Sequence, residues 1–78
     1  MKMEKKITLY IVALASVVAE VDAANVAEKE GIHVLKSGVA VEGVPFTSKR
    51  QAQDAVELTA KFGLETVVCS QKRVVKLA

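Results

Sequence analysis

The chain has 78 residues, 8.3 kDa, a formal charge of +2 and a mean hydropathy of +0.30. That length allows one domain at most, and a 51% apolar content is too high for a disordered chain. The small net charge gives no argument for nucleic acid, and a single cysteine, Cys69, excludes an intrachain disulfide.

Fourteen Val and eleven Ala supply most of the apolar content, against only Tyr10, Phe46 and Phe62 as aromatics. The core expected from this composition is β-branched and small. The charges are unevenly placed. Lys2, Lys5 and Lys6 crowd the start, and Lys72, Arg73 and Lys76 the end, whereas residues 20–30 hold Glu20, Asp22, Glu28 and Glu30. Solvated termini explain such runs, and a basic patch facing an acidic partner is the functional reading.

Residues 6–14 (KITLYIVAL) predict a strand that is apolar on both alternating faces, so it is central or covered twice. The same stretch has the parts of a secretory leader: a basic start, an apolar run, and Val21-Asp22-Ala23 as a cleavage pattern. Its β-branched character favours the strand. On that reading the chain is cytoplasmic; the alternative is a periplasmic or secreted protein cleaved near Ala23. Residues 17–30, rich in Ala and Glu, predict a helix stopped by Gly31. Residues 32–36 predict a short strand, Ser37-Gly38 a turn, and 39–41 a return strand ended by Pro45. Ser48 and Gln51 have the spacing of a capping box. After it, Ala52, Ala55, Val56, Thr59 and Phe62 share one face of a helix over 48–62, with Phe62 as its expected buried anchor, and Gly63 ends it. Residues 64–69 predict a further strand, which 73–77 either continue or follow.

The two halves echo each other as strand, Ser, Ala-rich helix, Gly and strand. This predicts an α+β, ferredoxin-like split βαβ plan (β-α-β-β-α-β), with one four-stranded antiparallel sheet and two helices on one face. In that order, strand 64–69 lies beside 6–14, then 39–41, then 32–36 at the far edge. The segment 43–68 (GVPFTSKRQAQDAVELTAKFGLETVV) resembles the second half of SPOR-type domains, with Phe46, Ser48, Ala52 and Gly63 at matching spacing. Residues 10–34 are similar but looser, and Val44 is inserted between Gly43 and Pro45. The resemblance implies the fold and a non-enzymatic module that binds peptidoglycan glycan strands on its sheet face. The aromatic platforms that sugars favour are scarce here.

No catalytic, cofactor or metal motif stands out. His33 and Cys69 are the only candidates for base and nucleophile, and the predicted strand order separates them by three strand spacings, roughly 14 Å. One His and one Cys do not make a zinc site. A helix-turn-helix with 66–75 as recognition helix fails on its strand-favouring composition, and the strands lack the aromatics of an RNA-reading sheet. The expectation is therefore a non-enzymatic regulatory or protein-interaction module without a membrane span. It would work through an open sheet face carrying Tyr10, Val12 and Leu14, with Lys5, Lys6, Lys72 and Arg73 as a basic rim. Its partner would be an acidic protein or a second copy in a homodimer, with a glycan strand as the alternative.

Overall fold

The computed structural model describes residues 3–77. Five strands, β1 (Met3–Leu14), β2 (Val26–Lys29), β3 (Ile32–Leu35), β4 (Val44–Phe46) and β5 (Thr66–Leu77), and two helices, α1 (Ala15–Ala19) and α2 (Lys49–Ala60), make an α+β fold. The sheet order is β2-β3-β5-β1-β4, and the β3–β5 pair is parallel while the rest are antiparallel.

The frame is one long ribbon. β1 and β5 pair antiparallel over their full length, from Met3 opposite Leu77 to Leu14 opposite Thr66. Twelve residues at ~3.4 Å each span roughly 40 Å, which accounts for most of the 48 Å long axis. Side chains alternate between the ribbon's two faces, so cross-strand partners share a face. Ile11, Ala13 and Cys69 point to one side and join Val18 and Leu35 in a buried cluster, with Leu9, Val26, Val39, Val41 and Val67 around it. Val12 and Val68 point to the other side and pack with Ala52 of α2, with Ile32, Phe46 and Val56 around them. The body is therefore three-layered: α2 covers one face, and α1 with the segment 36–42 covers the other.

This differs from the four-stranded plan with both helices on one face. Residues 17–30 do not form one helix. α1 stops at Ala19, Asp22 accepts the Ala24 amide at 2.9 Å to cap a 3-10 turn, and Val26 enters β2. Glu30 and Gly31 both have positive φ (53° and 78°), which makes a two-residue hairpin turn whose twist matches the strands. The turn lays Val26 against Leu35 in the core, and that burial overrides the helix propensity of the segment.

Residues 39–41 form no strand. Val39 and Val41 pack inward with a period of two, yet their backbone joins no ladder. The neighbour of β1 is β4, a three-residue edge strand containing Pro45, which a sheet tolerates at an edge. Strand 32–35 then lies on the opposite flank, beside β5. Gly43 is required where the chain meets β1, because a Cβ there would stand 2.5 Å from the Val12 carbonyl oxygen.

The second helix follows its sequence signals. The Ser48 hydroxyl accepts from the Gln51 amide at 3.4 Å. At the other end Gly63 (φ 80°) lets the Gly63 and Leu64 amides reach the Ala60 and Thr59 carbonyls, a Schellman arrangement. Phe62, the expected anchor, lies just past the last helical turn and is 77% exposed. The helix is instead seated by small residues: Ala52 is fully buried and Ala55 and Val56 flank it. The Thr59 and Thr66 hydroxyls, 2.8 Å apart, tie the helix end to β5.

Candidate functional site: a basic ribbon arm

β4 reaches only Tyr10–Val12 of β1, and β3 pairs only with Cys69 and Ser70 of β5. Beyond those positions the ribbon continues without a third strand. Residues 3–8 and 72–77 thus form a two-stranded arm that projects from the body. Such a ribbon is marginal on its own, because it has little to pack against.

The arm gathers the two basic ends that lie far apart in sequence. It carries Lys5, Lys6, Lys72, Arg73 and Lys76 against Glu4 alone, a net charge of +4. Residues 10–70 carry five cations and eight carboxylates, a net charge of −3. The molecule is therefore polar along its long axis. Register divides the arm's residues between two faces. One face holds Lys6 opposite Val74, with Lys72 and Lys76 on either side of Val74 and Glu4 opposite Lys76. The other holds Lys5 opposite Val75 and Ile7 opposite Arg73, with Met3 towards the tip. Met3 is 62% and Val74 56% exposed, so apolar side chains stand among the cations in water.

The arm's base is anchored in the body by Gln71, the one buried polar residue among those described. Its side-chain amide donates to the carbonyls of Lys36 (2.9 Å) and Val39 (2.6 Å). Its oxygen accepts from Arg73 Nε at 2.9 Å. Gln71 thus supplies segment 36–41 with the hydrogen bonds that a neighbouring strand would otherwise give. The sequence reading passed over this residue. Its signal is faint: one uncharged polar residue between Cys69 and the basic run, on the face that carries Cys69.

Lys5, Lys6, Lys72 and Arg73 do come together, as expected from pairing of the first and last strands. Tyr10, Val12 and Leu14 do not form an open patch. They lie on the α2 side of the sheet, where Val12 is 7% exposed under Ala52 and Tyr10 is half-buried; Leu14, at the sheet's end, is 42% exposed. The reason is that α1 crosses to the opposite face, so each face has its own cover.

His33 and Cys69 are also placed differently. They are direct register partners on adjacent parallel strands rather than residues on opposite edges. Proximity does not make them a reactive pair. Cys69 is fully buried, and burial pushes its thiol above the usual range, away from the thiolate that nucleophilic attack requires. His33 borders a shallow cleft of about 330 Å³ lined by aliphatic side chains such as Val18, Val21 and Val26. Among the described residues no three His, Cys, Asp or Glu side chains gather as a metal site. No helix among them is long and apolar enough to cross a membrane. Comparison with protein-family models, curated proteins and solved structures gives no significant match for this chain.

Proposed function

We propose that this chain is a non-enzymatic interaction module that works through the β1/β5 arm, and that its partner presents an acidic protein surface. The observation that carries the reading is the arm itself: net +4, with Met3, Val74 and Val75 exposed and no third strand beside it. Covering a Val or Met side chain is worth roughly 1.5–3 kcal/mol, and an unpacked ribbon gains that only from another molecule. The cations steer an acidic partner and the apolar residues hold it. The glycan reading implied by the SPOR resemblance needs a free sheet face. In the body both faces are covered, so the arm is the better surface.

Site-specific photo-crosslinking tests this in the native cell. A benzophenone amino acid replaces Val74 in one variant and Arg50, on the exposed side of α2, in another. The expected result is crosslinked protein from position 74 and none from position 50. Crosslinks from position 50 alone would move the working surface to α2.

A further inference from the structure

We infer that the arm's partner is a second copy of this chain, docked head to tail, with the arm of one copy on the acidic groove between α2 and β3 of the next. The inference rests on the proposed function of the arm, and adds the identity of what the arm holds.

The groove has a volume of about 360 Å³. Its floor is Ile32, Val56 and Val68, and Glu30 and Glu57 stand on its rim. The arm offers the complement. On one face Lys6, Lys72 and Lys76 surround Val74, the more exposed of the arm's two valines, with Glu4 opposite Lys76, so the face keeps a net charge of +2. A face of net charge +2 around an apolar side chain thus meets two carboxylates around an apolar floor. The apolar contact supplies affinity, and the charges set orientation and reject the reversed docking of arm on arm.

The arm cannot fill its own groove. Val68, in the groove floor, and Val74 belong to the same strand and the same face. Six residues of continuous strand hold them roughly 20 Å apart. Ile32 begins β3 level with Val68, and β3 runs parallel to β5, so the groove sits at the end of the long axis away from the arm tip. Donor and acceptor surfaces at opposite ends make a heterologous contact. Such a contact builds rings or open chains rather than a two-fold dimer.

A duplex nucleic acid is the competing occupant, because a basic two-stranded ribbon fits a major groove. It would leave the acidic groove without a role and would put Val74 and Met3 among phosphates.

Charge reversal with complementation tests the inference. One variant is Lys6→Glu/Lys72→Glu in the arm, and the other is Glu30→Lys/Glu57→Lys in the groove. Circular dichroism checks that each folds. Lys6→Gln/Lys72→Gln and Glu30→Gln/Glu57→Gln serve as milder substitutes where a reversal does not fold. Sedimentation equilibrium is run at about 0.1 M and about 1 M salt, where screening lengths are ~10 and ~3 Å. Wild-type protein is expected to self-associate with concentration at the lower salt and to dissociate at the higher. Each reversed variant alone is expected to be monomeric. Their equimolar mixture is expected to reassociate, since the intact arm of one variant meets the intact groove of the other and the reversed arm carries the charge that complements the reversed groove. A wild type that stays monomeric at low salt, a mixture that stays monomeric, or association indifferent to both reversals overturns the inference. A monomeric wild type whose position 74 still crosslinks to another macromolecule, nucleic acid included, overturns only the self-docking. Loss of both readouts overturns the arm reading as well.

Discussion

Val12 and Val74 are the same residue type on the same face of one ribbon, yet one is 7% and the other 56% exposed. Val12 faces Val68 across the ribbon and lies under Ala52 of α2. Val74 faces Lys6 and has no layer above it. The contrast separates what a strand needs to form from what it needs to be buried. Cross-strand pairing is the same in both places. Only in the body do α2 on one face, and α1 with the segment 36–42 on the other, bring the second and third layers that hide apolar surface. The ribbon outruns its cover, and the stretch left over carries a net charge of +4 in a chain whose net charge is +2.

The sharpest way to break this comparison is to put the same carboxylate in both regions. Val12→Asp buries an unpaired charge between β1 and α2, and is expected to cost several kcal/mol and unfold the domain. Val74→Asp is expected to leave the thermal midpoint nearly unchanged, within about 0.5 kcal/mol. Equal loss at both sites, read by thermal circular dichroism, would mean that the arm is packed.

Within the body, Gly43→Ala forces a methyl group against the Val12 carbonyl and Ile11, for an expected loss of about 1–3 kcal/mol by chemical denaturation. Gln71→Leu leaves the Lys36 and Val39 carbonyls without their donor, for an expected loss of about 1–3 kcal/mol. It should also speed amide exchange in residues 37–41 more than in α2.

Cys69 gives a pH-dependent version of the contrast. Burial raises the folded thiol above its unfolded value of about 8.5, so its contribution to stability is complete below that pH and is lost as pH rises through the folded value. Denaturation midpoints should therefore fall above about pH 9, and less steeply in Cys69→Ala. A cysteine placed in the arm by Val74→Cys should react at once with a thiol reagent that leaves native Cys69 untouched. The smallest effect is expected at Phe62. Phe62→Ala should change stability by under about 0.5 kcal/mol, since the ring is already in water.

Phe62 also shows where the sequence stops being a guide. Its spacing from Ala55 and Thr59 matches a buried stripe, but a helical period says nothing about whether the sheet extends far enough to meet the last turn. The α2 boundaries were readable because Ser48 and Gly63 act locally, through one cap and one left-handed residue. Strand-favouring composition marked both β1 and β5, but their pairing was expected only through the split βαβ plan. The segment 17–30 was misleading because Ala and Glu favour helix weakly, whereas the Glu30-Gly31 turn and the burial of Val26 act through tertiary contact. Strand order was out of reach for the same reason: Val39 and Val41 have strand periodicity, but the side chain of Gln71, distant in sequence, takes the place of their ladder. The four basic residues of the candidate site were legible as two charged ends. Their meeting on one projecting arm depends on the ribbon outlasting its neighbours, which no local pattern records.

Native-state amide exchange on the dilute, monomeric protein tests the central claim most directly. The arm residues, 3–8 and 72–77, are expected to exchange by local fraying at a free energy far below that of global unfolding. Val12, Val68 and Cys69 are expected to exchange only through global opening. Arm amides as well protected as Val12 in the monomer would contradict the account, because they would show an arm already held by its own body.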